Sequence, residues 1–175
     1  MVEVGVLAED ERVELIRGVI REMSPKNSRH SIAIWKITRV LDDGLRKRAA
    51  TFSAVPIALE TLDSKPEPDV AVMSHPDGEL FGTDASEPLL VVEVSDSSLR
   101  YDLTEKAALY AAGQIVDYWV VDLEHRGLVV FRDPRNGVYE TRETYQPSSR
   151  IAPVPWPDFE LDVSALFPAE AESQS

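Results

Sequence analysis

Three ionisable side chains, Asp69, Glu93 and Lys106, stand where chemistry could be done. Glu93 interrupts the apolar run Leu89-Leu90-Val91-Val92-Glu93-Val94, which otherwise reads as a strand covered on both faces. An unpaired carboxylate there would cost several kcal/mol, so something must compensate it. Asp69 opens the preceding strand, Pro68-Asp69-Val70-Ala71-Val72. If the two strands pair antiparallel across the 74–87 loop, the two acids meet. Carboxylates brought together repel, and the remedies are a shared proton, a basic partner or a divalent cation. Lys106 lies three residues after Leu103 and four before Tyr110, beside the apolar stripe of a following helix, and can lean toward the pair. Glu14 is a possible fourth member. Such a set suits Mg²⁺ or Mn²⁺, hard ions that take carboxylate and backbone oxygens and keep several waters. The ion would lower the pKa of a bound water and stabilise charge growing on phosphate, with Lys106 positioning the water or the oxyanion. The competing reading is a structural ion pair between Glu93 and a lysine or arginine.

Composition narrows the classes. A chain of 175 residues with 43% apolar content can bury one core, which predicts one domain over residues 1–167 and a disordered acidic tail over 168–175. No run of about 18 apolar residues is present to cross a membrane, and the acidic N-terminus is unlike a secretory signal, so the chain reads as cytoplasmic, with no membrane partner. Cysteine is absent, which removes disulfides and thiolate metal sites. The histidines at 30, 75 and 125 are too scattered for a zinc site. A net charge of -13 excludes a constitutive nucleic-acid coat, although Arg17, Arg21, Lys26 and Arg29, and the later run Arg46-Lys47-Arg48, could offset it locally. The plainer reading of those bases is solvated faces.

The elements that must position these residues follow from periodicity. Two antiparallel strands are predicted near 13–16 and 19–23, turned at Arg17-Gly18. An amphipathic helix with a basic last turn is predicted over 29–47. Strands follow at 50–61, 68–73 and 89–95, then a helix over 99–113 stopped by Gly113. Strands at 117–123 and 127–133 form a hairpin, with a further strand at 137–145. A Pro-rich segment at 153–157 and a short turn at 163–167 close the pattern. The order strand 89–95, helix, strand 117–122 is that of a β-α-β unit with parallel strands and a right-handed crossover.

Taken in order, "ELIRG", "MSP" and His30, then "PDVAV", then "LLVVEVSDSS" followed by Asp102, Lys106, "YAAG" and "YWVVD", the chain resembles the Uma-type family of putative restriction endonucleases in the PD-(D/E)xK nuclease-like superfamily. The resemblance spans roughly residues 12–167. It implies an α/β (α+β) fold, a mixed β-sheet flanked by helices, with a restriction endonuclease-like core and an N-terminal hairpin. It also implies a divalent metal, Mg²⁺ or Mn²⁺, and phosphodiester hydrolysis. By position Asp69 resembles the first metal ligand, and Glu93 the acid of the (D/E)xK motif, helped by the Val94 carbonyl. The pattern departs at Ser95, where the motif has lysine; Lys106 takes its place from the following helix. Asp96 stands where the family commonly has proline. His30 matches a family position, as a helix cap, a substrate contact or a plain surface histidine. Glu14 matches an acid that can hold metal or orient water, or it pairs with Arg12 or Arg17. Asp102 is expected to support Lys106 through an i, i+4 pair, and Tyr118 and Trp119 to pack at the sheet.

The function expected is therefore that of a Mg²⁺-dependent endodeoxyribonuclease with catalytic Asp69, Glu93, Lys106 and Glu14, and with Asp69, Glu93 and Val94 on the metal. Nucleic acid, by default DNA, is the substrate, and a homodimer would supply one site per strand. The alternative is a noncatalytic binding or assembly module on the same scaffold, which the acidity favours.

Overall fold

The computed structural model of the chain describes residues 12–23, 27–74 and 88–169. Lys26, His75, nearly all of the expected 74–87 loop and most of the 168–175 tail lie outside them. The first described element is a hairpin, β1 (Val13–Ile16) and β2 (Val19–Glu22), with Ile16 opposite Val19. Arg17 and Gly18 both have positive φ, 51° and 76°, the backbone that a two-residue hairpin turn requires.

Helix α1 (Ser28–Leu45) starts at Asn27, whose side-chain oxygen accepts from the His30 N–H at 2.9 Å. Ala33, Ile34, Ile37, Leu41 and Leu45 make its buried stripe. The basic run expected as its last turn falls beyond its end, because Lys47 takes a left-handed backbone, φ 59°. Arg48 still reaches back to the Gly44 carbonyl at 3.3 Å.

Strand β3 (Ala50–Ser53) is much shorter than the expected 50–61. Ala54 turns left-handed at φ 53°, and Pro56 cannot donate to a ladder, so the chain leaves the sheet. Ile57 and Leu59 are buried as predicted for a strand, but their N–H groups are taken by the Pro66 and Ser64 carbonyls in a local loop. Strands β4 (Val70–Met73) and β5 (Pro88–Ser95) then lead into helix α2, which runs in three pieces, Leu99–Tyr101, Asp102–Lys106 and Ala107–Ala112. In the middle piece the hydrogen bonds span five residues instead of four. Gly113 ends the helix as expected, but with φ -75°; the left-handed residue is Gln114, φ 59°. A Cβ on Gly113 would stand 3.0 Å from the Leu59 side chain, a tight approach that a methyl group would require Leu59 to relieve.

β6 (Asp117–Asp122), β7 (Gly127–Arg135) and β8 (Val138–Tyr145) complete a six-stranded sheet in the order β3-β4-β5-β6-β7-β8. β5 and β6 run parallel and the other neighbours antiparallel, so the fold is α+β with a mixed sheet. A separate two-stranded pair, β9 (Arg150–Ile151) and β10 (Leu161–Asp162), was not anticipated, since two residues carry no readable alternation. Alternate residues of the sheet divide the core. Val70, Val72, Val92, Val94 and Trp119 pack under α1, while Ala71, Val91, Tyr118 and Val120 pack under α2. Strict alternation along β5 would put Leu89 on the Glu93 face, but it packs with the α1 side, next to a register shift at Val72/Met73.

Gly44 sits against the ring of Phe159, and a methyl group there would stand 2.0 Å from it. Ala for Gly inside a helix is ordinarily worth about 1 kcal/mol of added stability. Here Gly44→Ala should instead destabilise by about 1–3 kcal/mol, the usual cost of overpacking. Urea denaturation checks this, and a gain in stability would contradict the packing described.

Candidate functional site

The antiparallel register of β4 and β5, Val70 opposite Val92, carries Asp69 alongside Glu93. The Asp69 N–H points at Glu93 Oε2 over 3.4 Å, and Asp69 Oδ2 accepts from the Val94 N–H at 2.9 Å. From the other side, the widened turn of α2 delivers Lys106, whose Nζ donates to Glu93 Oε1 at 2.8 Å and lies 3.1 Å from Glu14 Oε2 on β1. Tyr110, one turn on, also donates to Glu93 Oε1, at 2.7 Å. The four residues singled out from the sequence, Asp69, Glu93, Lys106 and Glu14, thus meet, each from a different element.

The two oxygens of Glu93 are differently occupied. Oε1 takes both strong donors, whereas Oε2 has one long bond from Asp69. Oε2 is the atom left for a proton or a cation. Asp69, Glu93, Lys106, Glu14, His30 and Asp102 line one cavity of about 130 Å³, which reaches the surface through exposed Glu22 and Ser97. Two acids of its lining have basic partners: Arg12 pairs with Glu67 at 2.9 Å, and Arg29 lies 3.7 Å from Asp96. Asp96, the departure from the family pattern, also accepts from Asn27 Nδ2 at 2.5 Å, tying its loop to the start of α1.

Inside, charge is unbalanced. Glu14, Glu93 and Asp102 are buried around one buried ammonium, Lys106. Burial pushes the Glu93 carboxyl up to about 8, with Asp69 and Asp102 adding to the rise and Lys106 pulling against it. Burial also works to lower the Lys106 pKa, but Glu93 and Glu14 outweigh it and hold the ammonium above the ordinary lysine range. One ammonium between two carboxylates neutralises one of them; the other seeks a proton or a second cation. Burial likewise raises Asp102 and the Tyr110 hydroxyl, which keeps the latter a donor. Asp117, the first residue of β6, is a further buried acid that burial raises, bound by Arg132 at 3.1 Å, Trp119 Nε1 at 2.8 Å and the Val154 N–H at 2.7 Å.

Several expectations change. Glu14 pairs with neither Arg12 nor Arg17; it holds Lys106 and accepts from Tyr101 at 3.2 Å. Asp102 makes no direct pair with Lys106, because its carboxylate accepts from Ser95 and from Ser98 instead. Ser95, which replaces the motif lysine, is thereby given a structural use. His30 is no plain surface residue: its Nε2 lies 3.1 Å from Asp69 Oδ2. Arg21 is engaged with Glu105 at 2.9 Å. Tyr118 and Trp119 pack and hydrogen-bond as expected, to the Asp102 carbonyl and to Asp117. Sequence reasoning missed the polar use of Tyr110, although its place four residues after Lys106 on the same helix face was the available signal.

Among the described residues, no group of three or more His, Asp or Glu side chains stands ready as a metal cage. Glu14, facing Lys106, is not part of one. The residues present do fit an ion that takes few protein oxygens and keeps its waters: Glu93 Oε2 is held by a single long bond beside Asp69, and both face an open polar cavity.

The fold is a mixed α+β sheet with two acids at neighbouring ends of β4 and β5 and a lysine brought to them by α2, and comparison with known proteins places it. The family model "Uma2: Putative restriction endonuclease" matches residues 3–164, and the chain belongs to this family. Among solved structures, the crystal structure of a putative nuclease belonging to DUF820 from Anabaena variabilis ATCC 29413 matches with a TM-score of 0.75 and 15% identity over 94% of each chain. At that identity the likeness establishes the fold. None of the curated proteins matches significantly.

Two outcomes follow from the buried charges. The folded state holds a proton on Glu93 up to about pH 8, whereas the unfolded chain releases it near 4.5. Raising pH across that window therefore lowers stability. In chelator-treated protein Glu93→Gln should flatten this decline between pH 5 and 8; thermal unfolding at several pH values reads it, and parallel curves would contradict the assignment. Lys106→Met leaves two buried carboxylates without their ammonium and should cost about 3–5 kcal/mol. Denaturation with chelator present checks this; a loss below about 1 kcal/mol would show that Lys106 does not hold the site together.

Proposed function

We propose that the protein is a divalent-metal-dependent endonuclease that hydrolyses phosphodiester bonds in DNA. The observation that carries this reading is the pairing of Asp69 and Glu93 across neighbouring strands in an open cavity, with Glu93 Oε1 bound twice and Oε2 left with one long contact. Asp69, Glu93 Oε2 and the Val94 carbonyl would hold Mg²⁺ or Mn²⁺. When bound, such an ion supplies Lewis acidity toward the phosphodiester and lowers the pKa of coordinated water.

The chain's own groups have separable tasks. Lys106 is kept protonated by Glu14 and Glu93, so it serves as a fixed positive charge for phosphate oxygens and not as a base. Glu14 keeps that charge in place. His30 and the Val94 N–H both engage Asp69 Oδ2, which sets the direction of this carboxylate. A homodimer would present one such site to each strand of a duplex.

The noncatalytic module has one observation in its favour, the engagement of Lys106 by two carboxylates, which a purely structural site would also show. Cleavage of supercoiled plasmid separates the readings. Chelator-treated wild type should nick DNA when Mg²⁺ or Mn²⁺ is restored. Asp69→Asn should lower that rate roughly a hundredfold or more while the protein stays folded by circular dichroism. Calorimetry should show Mn²⁺ binding to wild type and its loss in Asp69→Asn. A folded wild type that binds neither ion and cuts nothing contradicts the enzyme and favours the module.

A further inference from the structure

The outer face of α1 is not used by the site, yet its composition departs from the rest of the chain. Helix α1 carries Arg29, Lys36 and Arg39 against Asp42 and Asp43, a net charge of +1 in a chain whose total is -13, and Arg46, Lys47 and Arg48 follow its end. On that face Trp35 is 58% exposed and Ile32 48% exposed, while the other two tryptophans, Trp119 and Trp156, are buried. The Arg39 guanidinium lies 5.5 Å from the Trp35 ring centroid. Beside them runs a groove of about 440 Å³ lined by Ser31, Ile34, Trp35, Thr38, Arg39, Asp42 and Ser53. The Thr38 hydroxyl oxygen is buried there without a hydrogen-bond partner.

This groove adjoins the cavity already described. Ser31, in the groove, donates to the Asn27 carbonyl at 3.0 Å, and Asn27 lines the cavity one turn away. Two of the arginines are held by little: Arg39 and Arg46 share Asp43 at 3.6 and 3.2 Å, all three well exposed. Such surface pairs are worth little and can exchange for phosphate oxygens. An exposed aromatic ring with flanking cations, leading from a phosphodiester site, matches the chemistry of an unpaired nucleotide strand, whose bases stack while its phosphates meet the cations.

We propose that the outer face of α1 is a track for a single-stranded stretch of the nucleic-acid substrate, with Trp35 as stacking platform and Lys36 and Arg39 as phosphate contacts. The proposal deepens the nuclease reading and rests on it for the identity of the ligand. It predicts a preference for substrates with unpaired bases near the cut.

The test uses the full chain in Ca²⁺ with a labelled oligothymidylate and a duplex of equal length, read by fluorescence anisotropy and by intrinsic tryptophan emission. The single strand should bind more tightly and quench the exposed tryptophan. Trp35→Ala, at a surface position, should weaken single-strand binding about tenfold and abolish the quenching. Lys36→Glu with Arg39→Glu should weaken it and flatten its salt dependence. Unchanged affinity in both variants, or no single-strand binding by wild type at low salt, overturns the track. So does a change of sedimentation in Trp35→Ala with oligonucleotide affinity intact, which would make this face an interface between copies. If wild type cuts plasmid and Trp35→Ala binds and cuts equally well, the track falls and the nuclease reading stands. If nothing is cut but Trp35→Ala still loses binding, the track stands and the nuclease reading falls.

Discussion

The shortage of positive charge around Glu93 governs this structure. A carboxylate enclosed by sheet and helix has lost its water, and that loss must be made up by donors and cations at fixed positions. Lys106 and Tyr110 do this for one oxygen and leave the other facing the cavity. Because Lys106 must also serve Glu14, the enclosed acids outnumber the enclosed cation. Asp117, by comparison, is bound by three donors within 3.1 Å, whereas Glu93 Oε2 has one long contact.

The rest of the architecture can be understood as the means of assembling that imbalance. The register of β4 and β5 sets Asp69 beside Glu93, and the parallel pair β5 and β6 requires a crossover, which α2 provides. The widened turn in α2 costs regular helical bonding, and such turns recur at functional sites. Here it spans Asp102 to Lys106, the residues that face the cavity, while the regular turn that follows brings Tyr110 to Glu93. The hairpin contributes Glu14 from outside the main sheet and is anchored by the bridge between Leu15 and Lys65.

Much of this was legible in the residues. A charge inside Leu-Leu-Val-Val-Glu-Val is a local contradiction that only a partner resolves, so Glu93 announced a site and pointed to Asp69 and Lys106. The individual strands and the parallel β-α-β unit followed from period and order, the mixed sheet from the family resemblance, and the Arg17-Gly18 turn from its dipeptide. Where the reading failed, the deciding interaction lay between residues distant in sequence or in the backbone's own conformation. Glu14 was offered its neighbours Arg12 and Arg17, but the buried ammonium of Lys106 outcompetes exposed guanidinium groups. Asp102 has Lys106 at helical spacing, yet the widened turn and the hydroxyls of Ser95 and Ser98 claim it. Residues 54–61 looked like strand because Ile57 and Leu59 alternate, and burial did occur, but a left-handed Ala54 and Pro56 took the backbone out of the ladder.

The central claim is that Asp69 and Glu93 share a cation. Crystals soaked in Mn²⁺ and measured for anomalous scattering ask this directly. The account predicts a peak between Glu93 Oε2 and Asp69, in reach of the Val94 carbonyl, with Lys106 still bound to Glu93 Oε1. Well-ordered crystals with no peak in the cavity, or with the ion elsewhere and both carboxylates unmoved, would contradict it.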